Sequence, residues 1–314
     1  MNSEDPSSRG VAFLGLGNMG APMARCVAEA PPGTVTGLTV WNRTHARAEA
    51  FVATAADEGA SAPRPAALAR VATTPRDAVR GAGIVVTCVA DGRALEEVLG
   101  GPDGVLAGIE PGTVVVEMST IGRAAAREAA RAIEARGARL VDAPVSGSVG
   151  PAERGELLAL VGGADADVER VTPVLRTMCN RILRAGGVGQ GQALKVVLNG
   201  VGAHHFVAFA SMLALGEKAG LARETLVEAF TTGAFATPSY VSKKGRVLGR
   251  DYRTAEFTLA LALKDGALNL ALQEEVGLSL PVQREITREV AQAVAEGLGD
   301  EDLYGMERYF DRRK

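Results

Sequence analysis

The chain has 314 residues, with 34 Lys and Arg against 37 Asp and Glu, for a formal net charge of −3. That length exceeds one ordinary hydrophobic core and asks for two domains, while an apolar fraction of 47% excludes a disordered chain. A pI of about 5.8 without any Lys/Arg stripe excludes a dedicated nucleic-acid binder.

The stretch Met1 to Gly10 is acidic and serine-rich, with no apolar run, and does not read as a signal peptide. Short β-branched runs at Val11–Leu14, Leu38–Trp41, Arg70–Thr73, Ile84–Val89, Val114–Glu117, Arg139–Asp142 and Leu157–Val161 predict strands. Helical patterns at Met19–Glu29, Ala46–Asp57, Gly92–Leu99 and Arg123–Arg136 fall between them. Strands alternating with helices predict a doubly wound α/β sheet of Rossmann type. After Gly191 the pattern turns helical: a long helix from Gln192 to about Ala219, then Arg223–Phe230, Thr258–Val276, Pro281–Glu296 and a short tail. The change predicts two domains, 9–187 and an all-α 188–314, joined by the long helix, with the passage near Gly186–Gly189.

Three cysteines, Cys26, Cys88 and Cys179, are widely spaced and form neither a metal motif nor a disulfide framework, which suits a reducing cytoplasm. Val196 to Gly216 carries no Lys, Arg, Asp or Glu and is long enough to span a bilayer. Its Asn199, His204, His205 and glycines favour instead a helix buried within the protein, with no membrane partner. Adjacent histidines on a helix point about 100° apart, so His204 and His205 do not share a ligand site and no metal is expected.

Gly15-Leu16-Gly17-Asn18-Met19-Gly20 is a G-x-G-x-x-G placed after a strand and opening a helix. Gly15 allows the tight turn, Gly17 lets a pyrophosphate approach the backbone, and Gly20 lets helix and strand pack closely. About twenty residues on, where an NAD site places an acid for the ribose hydroxyl, stand Asn42, Arg43 and Thr44. A guanidinium there suits a 2′-phosphate, so NADPH is expected over NADH. His45 beside it is either an aid to that phosphate or a solvated loop residue.

Asp142-Ala143-Pro144-Val145-Ser146-Gly147, then Gly189-Gln190-Gly191-Gln192-Ala193-Leu194-Lys195 with Asn199, and then Lys264-Asp265 complete an ordered set of motifs. Taken alone, Lys195 and Asn199 lie one turn apart on a helix and read equally as a snorkelling lysine with a nearby amide. Ser146 and Gly147 read equally as a turn. Together with the fingerprint, however, these segments resemble the β-hydroxyacid dehydrogenases, the 3-hydroxyisobutyrate dehydrogenase family, over Val11 to about Val294.

The resemblance implies reversible hydride transfer between nicotinamide and a small hydroxy acid or aldehyde acid. Lys195 is then the general acid/base, its hydration lowered by an apolar cleft, and Asn199 its hydrogen-bonding companion. Ser146, Gly147 and Ser119 become the substrate-carboxylate set. Val89, Ala90, Thr120 and Lys264 join the fingerprint as cofactor contacts. The resemblance further implies a substrate cleft between the domains and a homodimer or homotetramer built through the helical one. Ser148 replaces the glycine of the common Ser-Gly-Gly pattern and is followed by Pro151-Ala152-Glu153. With Trp41-Asn42-Arg43-Thr44, that form is more similar to the glyoxylate/succinic semialdehyde reductase branch. An imine reductase on the same fold, in which another residue stands at the lysine position, and a non-catalytic NADP-binding scaffold protein are the competing readings.

Overall fold

The computed structural model describes residues 10–57 and 69–313. The N-terminal stretch 1–9, including the expected start of the first domain at residue 9, lies outside them, as does residue 314. The elements run β1 (Gly10–Leu14), α1 (Gly20–Ala28), β2 (Leu38–Trp41), α2 (His45–Asp57), β3 (Ala69–Val71), α3 (Pro75–Val79), β4 (Ala82–Thr87), α4 (Gly92–Leu99) and α5 (Val105–Gly108). They continue with β5 (Val114–Glu117), α6 (Arg123–Glu134), β6 (Arg139–Asp142), β7 (Val145–Ser146), α7 (Val149–Glu153), β8 (Leu157–Gly162), α8 (Asp165–Met178) and β9 (Cys179–Gly186). Helices α9 (Gln190–Lys218), α10 (Arg223–Thr232), α11 (Pro238–Leu248), α12 (Leu259–Val276), α13 (Pro281–Ala293) and α14 (Met306–Asp311) complete the chain.

The sheet order is β3-β2-β1-β4-β5-β6-β8-β7, with β9 on β8. Its first six strands pair in parallel, and β1, flanked by β2 and β4, is the point where the winding reverses. Alternate residues feed two cores. Val11, Phe13, Val86 and Val116 pack under α1 and α8, whereas Ala12, Leu14, Val85 and Val115 pack under α4 and α6. Burial on both faces is why these strands read as unbroken apolar runs.

The sheet is not parallel throughout. β8 runs antiparallel to β6 and β7 and parallel to β9. Both β9 and α8 escape the sequence reading. β9 is largely exposed with Arg181 and Arg184 interrupting its pattern, and α8 carries Pro173 in its interior. β4 spans Ala82–Thr87 rather than Ile84–Val89, so Val89 lies in the loop beyond it. Helix α11, opened by Pro238 under a Thr237 side-chain cap, was likewise unmarked by periodicity. The last long helix ends at Ala293, where a wider π-type turn over Val294–Leu298 takes over, with Gly297 at φ 89°.

The chain divides into two compact units between Lys195 and Val196. The break falls inside α9 rather than ahead of it at residue 187, because the first turn of α9 is bonded into the sheet unit. The second unit is built on an aromatic cluster: Phe209 meets Phe230, Tyr240 and Tyr304 at centroid distances of 5.1, 4.7 and 5.3 Å. Such contacts contribute about 0.5–1.5 kcal/mol each beyond their area. Nearby, the buried Arg223 is held by Glu217 and Glu307.

Helix α9 is apolar and long enough to cross a membrane by length and composition, but burial of its apolar surface falls short of the expectation. Val201 is 50% and Leu215 60% exposed. A helix of 29 residues with apolar groups on every side presents more such surface than its neighbours in the chain cover.

Candidate active site

The fingerprint turn joins β1 to α1 at the winding reversal. A Cβ on Gly15, whose φ is 103°, would lie 2.1 Å from the Cys88 carbonyl oxygen, and one on Gly20 would lie 2.0 Å from that of Gly15. Both positions admit only glycine for reasons internal to the fold. Gly17 differs: among the described residues, its chain neighbours aside, no atom lies within 4 Å of the point a Cβ would take. Its lack of a side chain answers no contact within the fold, and the open space there leaves the backbone accessible, so the turn fits a dinucleotide pyrophosphate at the N-terminus of α1.

The loop after β2 is tied to this turn. Leu16 N–H donates to Asn42 Oδ1 at 2.9 Å, and Asn42 Nδ2 donates to the Thr44 carbonyl at 3.0 Å. Asn42 thus braces the loop after β2 against the fingerprint turn. Arg43 is 82% exposed and meets Glu97 only at 3.6 Å. An exposed pair of that kind is worth about 0–1 kcal/mol. His45 pairs with Glu49 one turn along α2. Asn18, Thr44 and Ala90 are exposed, and Met19 and Val89 half-buried.

A strip of hydrogen bonds crosses the carboxyl ends of the next strands. Val89 N–H donates to Ser119 Oγ at 2.8 Å, and Ser119 N–H to Glu117 Oε1 at 2.7 Å. Ser119 is 4% exposed with its hydroxyl engaged in this strip. It joins the ends of β4 and β5. Thr120, next along, is half-buried. Glu117 also accepts from the Thr87 hydroxyl. Burial pushes its carboxyl up to about 7, against the hydrogen bonds from Ser119 and Thr87 that pull it down.

Asp142 is paired with Glu117 across β5 and β6 and is completely buried. Its Oδ1 accepts from Gly189 N–H at 2.6 Å and its Oδ2 from Gln192 N–H at 2.7 Å. Burial raises it to about 6, with those backbone donors opposing. The carboxylate therefore caps α9 three residues ahead of the half-buried Lys195. Gln192 completes the strip with bonds to the loop after β5. Asp142 and Gln192 stand in the sequence motifs and Glu117 ends a predicted strand, none of them with an assigned role. The available signal was a charged or amide side chain at a strand end or in the first turn of an otherwise apolar helix.

Ser146 ends β7, and Gly147 follows at φ 137°, where a Cβ would meet Leu157 Cδ2 at 2.5 Å. In the second unit, Asn199 Nδ2 donates to Asp265 Oδ2 at 2.6 Å, and Lys264 Nζ meets Asp265 Oδ1 at 3.0 Å. Asp265, 7% exposed, brings together Asn199 and Lys264, two residues that the sequence named separately. His204 Nδ1 bonds the Gly200 carbonyl at 2.8 Å, and the His205 ring lies edge-on to Tyr240.

Residues 10–187 match the family described as the NAD-binding domain of 6-phosphogluconate dehydrogenase. Residues 189–310 match the family described as NAD-binding of NADP-dependent 3-hydroxyisobutyrate dehydrogenase. Glyoxylate/succinic semialdehyde reductase 2 of Arabidopsis thaliana is 32% identical over 309 residues, covering 96% of this chain and 81% of the plant protein. NAD-dependent L-serine dehydrogenase of Pseudomonas aeruginosa is 32% identical over 308 residues, covering 96% and 97%. The crystal structure of 3-hydroxyisobutyrate dehydrogenase from Salmonella typhimurium superposes with a TM-score of 0.81 at 26% identity, covering 96% of this chain and 99% of that one.

Proposed function

The chain belongs to the 3-hydroxyisobutyrate dehydrogenase family of NAD(P)-dependent hydroxyacid oxidoreductases, and on that premise we propose that it reduces a small aldehyde acid with NADPH, Lys195 supplying the proton. The observation that carries the reading is the bonded strip from Val89 through Ser119 and Gln192 to Asp142, which ties the Thr120 loop to the lysine-bearing turn of α9 within one unit, while Asn42 separately ties the loop after β2 to the fingerprint. When bound, the nicotinamide supplies the hydride. Gly17 lets the pyrophosphate approach the backbone of the turn that Gly15 and Gly20 shape, and Arg43, at 82% exposure, can swing from Glu97 to a 2′-phosphate. The absence of an acid at the end of β2 favours NADPH, although the Pseudomonas relative is named for NAD.

The chain's own work is to bind carboxylate, orient the carbonyl and move one proton. The Ser146 hydroxyl and Gly147 N–H donate to the substrate carboxylate. Lys195 Nζ gives a proton to the carbonyl oxygen as it becomes an alcohol, and is recharged from solvent. In oxidation the same amine, neutral, accepts the hydroxyl proton. Asp265 orders Asn199 and Lys264 by accepting from both. The presence of Lys195 favours this reading over imine reduction and over a non-catalytic scaffold.

The substrate class is the one in the name of the Arabidopsis relative, glyoxylate or succinic semialdehyde. A second copy of the chain is the proposed partner. Leu198, Val201, His205, Ala208, Met212 and Leu215 are exposed at alternating spacings of three and four along α9, the repeat that packs one helix on another. The free cysteines accord with a cytoplasmic protein. The test is NADPH oxidation with glyoxylate, succinic semialdehyde, methylmalonate semialdehyde and tartronate semialdehyde, repeated with NADH and with Lys195→Met. Turnover of none of the four, higher kcat/KM with NADH, or wild-type turnover in the variant would each refute its part of the proposal.

A further inference from the structure

We propose that Gln192 is a positioning residue, one that sets the lysine-bearing turn of α9 and the Thr120 loop in a single geometry; this rests on the roles given above to Lys195 and Thr120. Gln192 is wholly buried. Its Oε1 accepts from Ile121 N–H at 3.0 Å and Gly122 N–H at 3.1 Å, and its Nε2 donates to the Ser119 carbonyl at 2.7 Å. All three partners fall within the four residues that contain Thr120.

Helix α6 begins at Arg123, and its cap residue Gly122, at φ 85°, has no side chain with which to close the helix start. Gln192 supplies the acceptor for two amides there. On its own element, the Gln192 N–H is held by Asp142, and Lys195 follows three residues later, a rise of about 4.5 Å along the axis. The bond to Asp142 fixes α9 against the end of β6, and the side chain fixes the Thr120 loop against α9. A shift of either element moves the other. An apolar side chain of the same size fills the space but leaves two amides and a carbonyl buried without partners.

The test uses the full chain as wild type, Gln192→Leu, Gln192→Glu and Lys195→Met. NADPH Kd is read from nucleotide fluorescence, kcat and KM from glyoxylate or succinic semialdehyde reduction across pH, and Tm alongside. For Gln192→Leu the expected result is an NADPH Kd raised about fivefold or more and kcat lowered about tenfold or more, with the aldehyde KM within about twofold. The Gln192→Glu carboxyl faces the Ser119 carbonyl and the amides of Ile121 and Gly122, with Asp142 and Glu117 as the nearby acids. Protonated, it accepts and donates as the amide does. Its kcat should therefore return toward wild type as pH falls, a recovery that a purely structural role does not produce.

Gln192→Leu with kcat and NADPH Kd both within about twofold of wild type, whatever its Tm, overturns the proposal. So does a Gln192→Glu profile parallel to wild type, which also decides the matter should Gln192→Leu fail to fold. Turnover retained by Lys195→Met removes the assignment of the proton donor instead, and the NADPH Kd of Gln192→Leu then decides alone whether Gln192 sets the cofactor loop.

Discussion

Gly17→Ala and Gly20→Ala separate a glycine that serves a ligand from one that serves the fold. At Gly20 the added Cβ lies 2.0 Å from a backbone oxygen, where ordinary contact begins at 3.4 Å. The first turn of α1 and the fingerprint must part by about 1.4 Å, and no flexible side chain can give way. Overpacking of this kind costs about 3 kcal/mol, which lowers Tm by roughly 6–12 °C in a unit of this size. At Gly17 nothing among the described residues beyond its chain neighbours lies within 4 Å, and its φ is outside the left-handed region. Alanine there is neutral or stabilises by about 0.4–1 kcal/mol. Its methyl, however, occupies the approach proposed for the pyrophosphate, so NADPH Kd should rise at least tenfold, about 1.4 kcal/mol. Thermal unfolding and nucleotide fluorescence on the two variants read these effects apart. Gly17→Ala with wild-type NADPH affinity would refute the cradle, and Gly20→Ala with wild-type Tm would refute the packing argument.

Three further outcomes are expected. Arg43→Glu should lower kcat/KM for NADPH by about tenfold or more while leaving NADH within about twofold, since it places a like charge against a 2′-phosphate; unchanged cofactor preference would remove Arg43 from the site. Glu117, held near 7 by burial against an ordinary 4.5, keeps its proton in the fold where the unfolded chain has lost it. Its contribution is therefore most favourable below about 4.5 and declines until pH passes 7. Glu117→Gln should accordingly raise Tm at pH 8, by on the order of 5 °C, with the difference shrinking toward acid pH; equal melting curves at pH 8 would count against the buried charge. Gly200→Ala places a Cβ 2.7 Å from Asn269 Nδ2 and should destabilise the second unit by about 1–3 kcal/mol, whereas Gly202→Ala, with its nearest atom at 3.6 Å, should stabilise α9 by up to about 1 kcal/mol. Melting of the two variants in the reverse order would show that α9 packs otherwise.

The sheet was legible where burial on both faces makes a strand uniformly apolar: β2, β5 and β6 begin and end at the residues the pattern marks. It was illegible where exposure mixes charges into the pattern, as in β9, or where proline sits mid-helix, as in α8. The site divides the same way. Fingerprint glycines and the lysine-bearing turn stand out because their spacing is fixed by local geometry. Besides the local bonds of Glu117 to Ser119 and Asp265 to Lys264, Glu117, Asp142 and Asp265 have partners from 30 to 66 residues away, and no local window shows those pairings. Ser119 illustrates the converse: the resemblance grouped it with Ser146 and Gly147, and only the bonds to Val89, 30 residues away, and to Glu117 show that it also joins β4 to β5.

The break between the two units inside α9 decides how the chain can be dissected. A fragment ended at Gly187, where the two matching family domains meet, would keep every strand of the sheet. It would lack Gly189 and Gln192, stripping Asp142 of both backbone donors and the Ser119–Gly122 loop of its acceptor and donor. A fragment carried through Lys195 retains all five of those bonds. Eight residues that sequence boundaries assign to the helical half are thus the closing segment of the nucleotide half, and a swap of helical halves between relatives should exchange partners after Lys195.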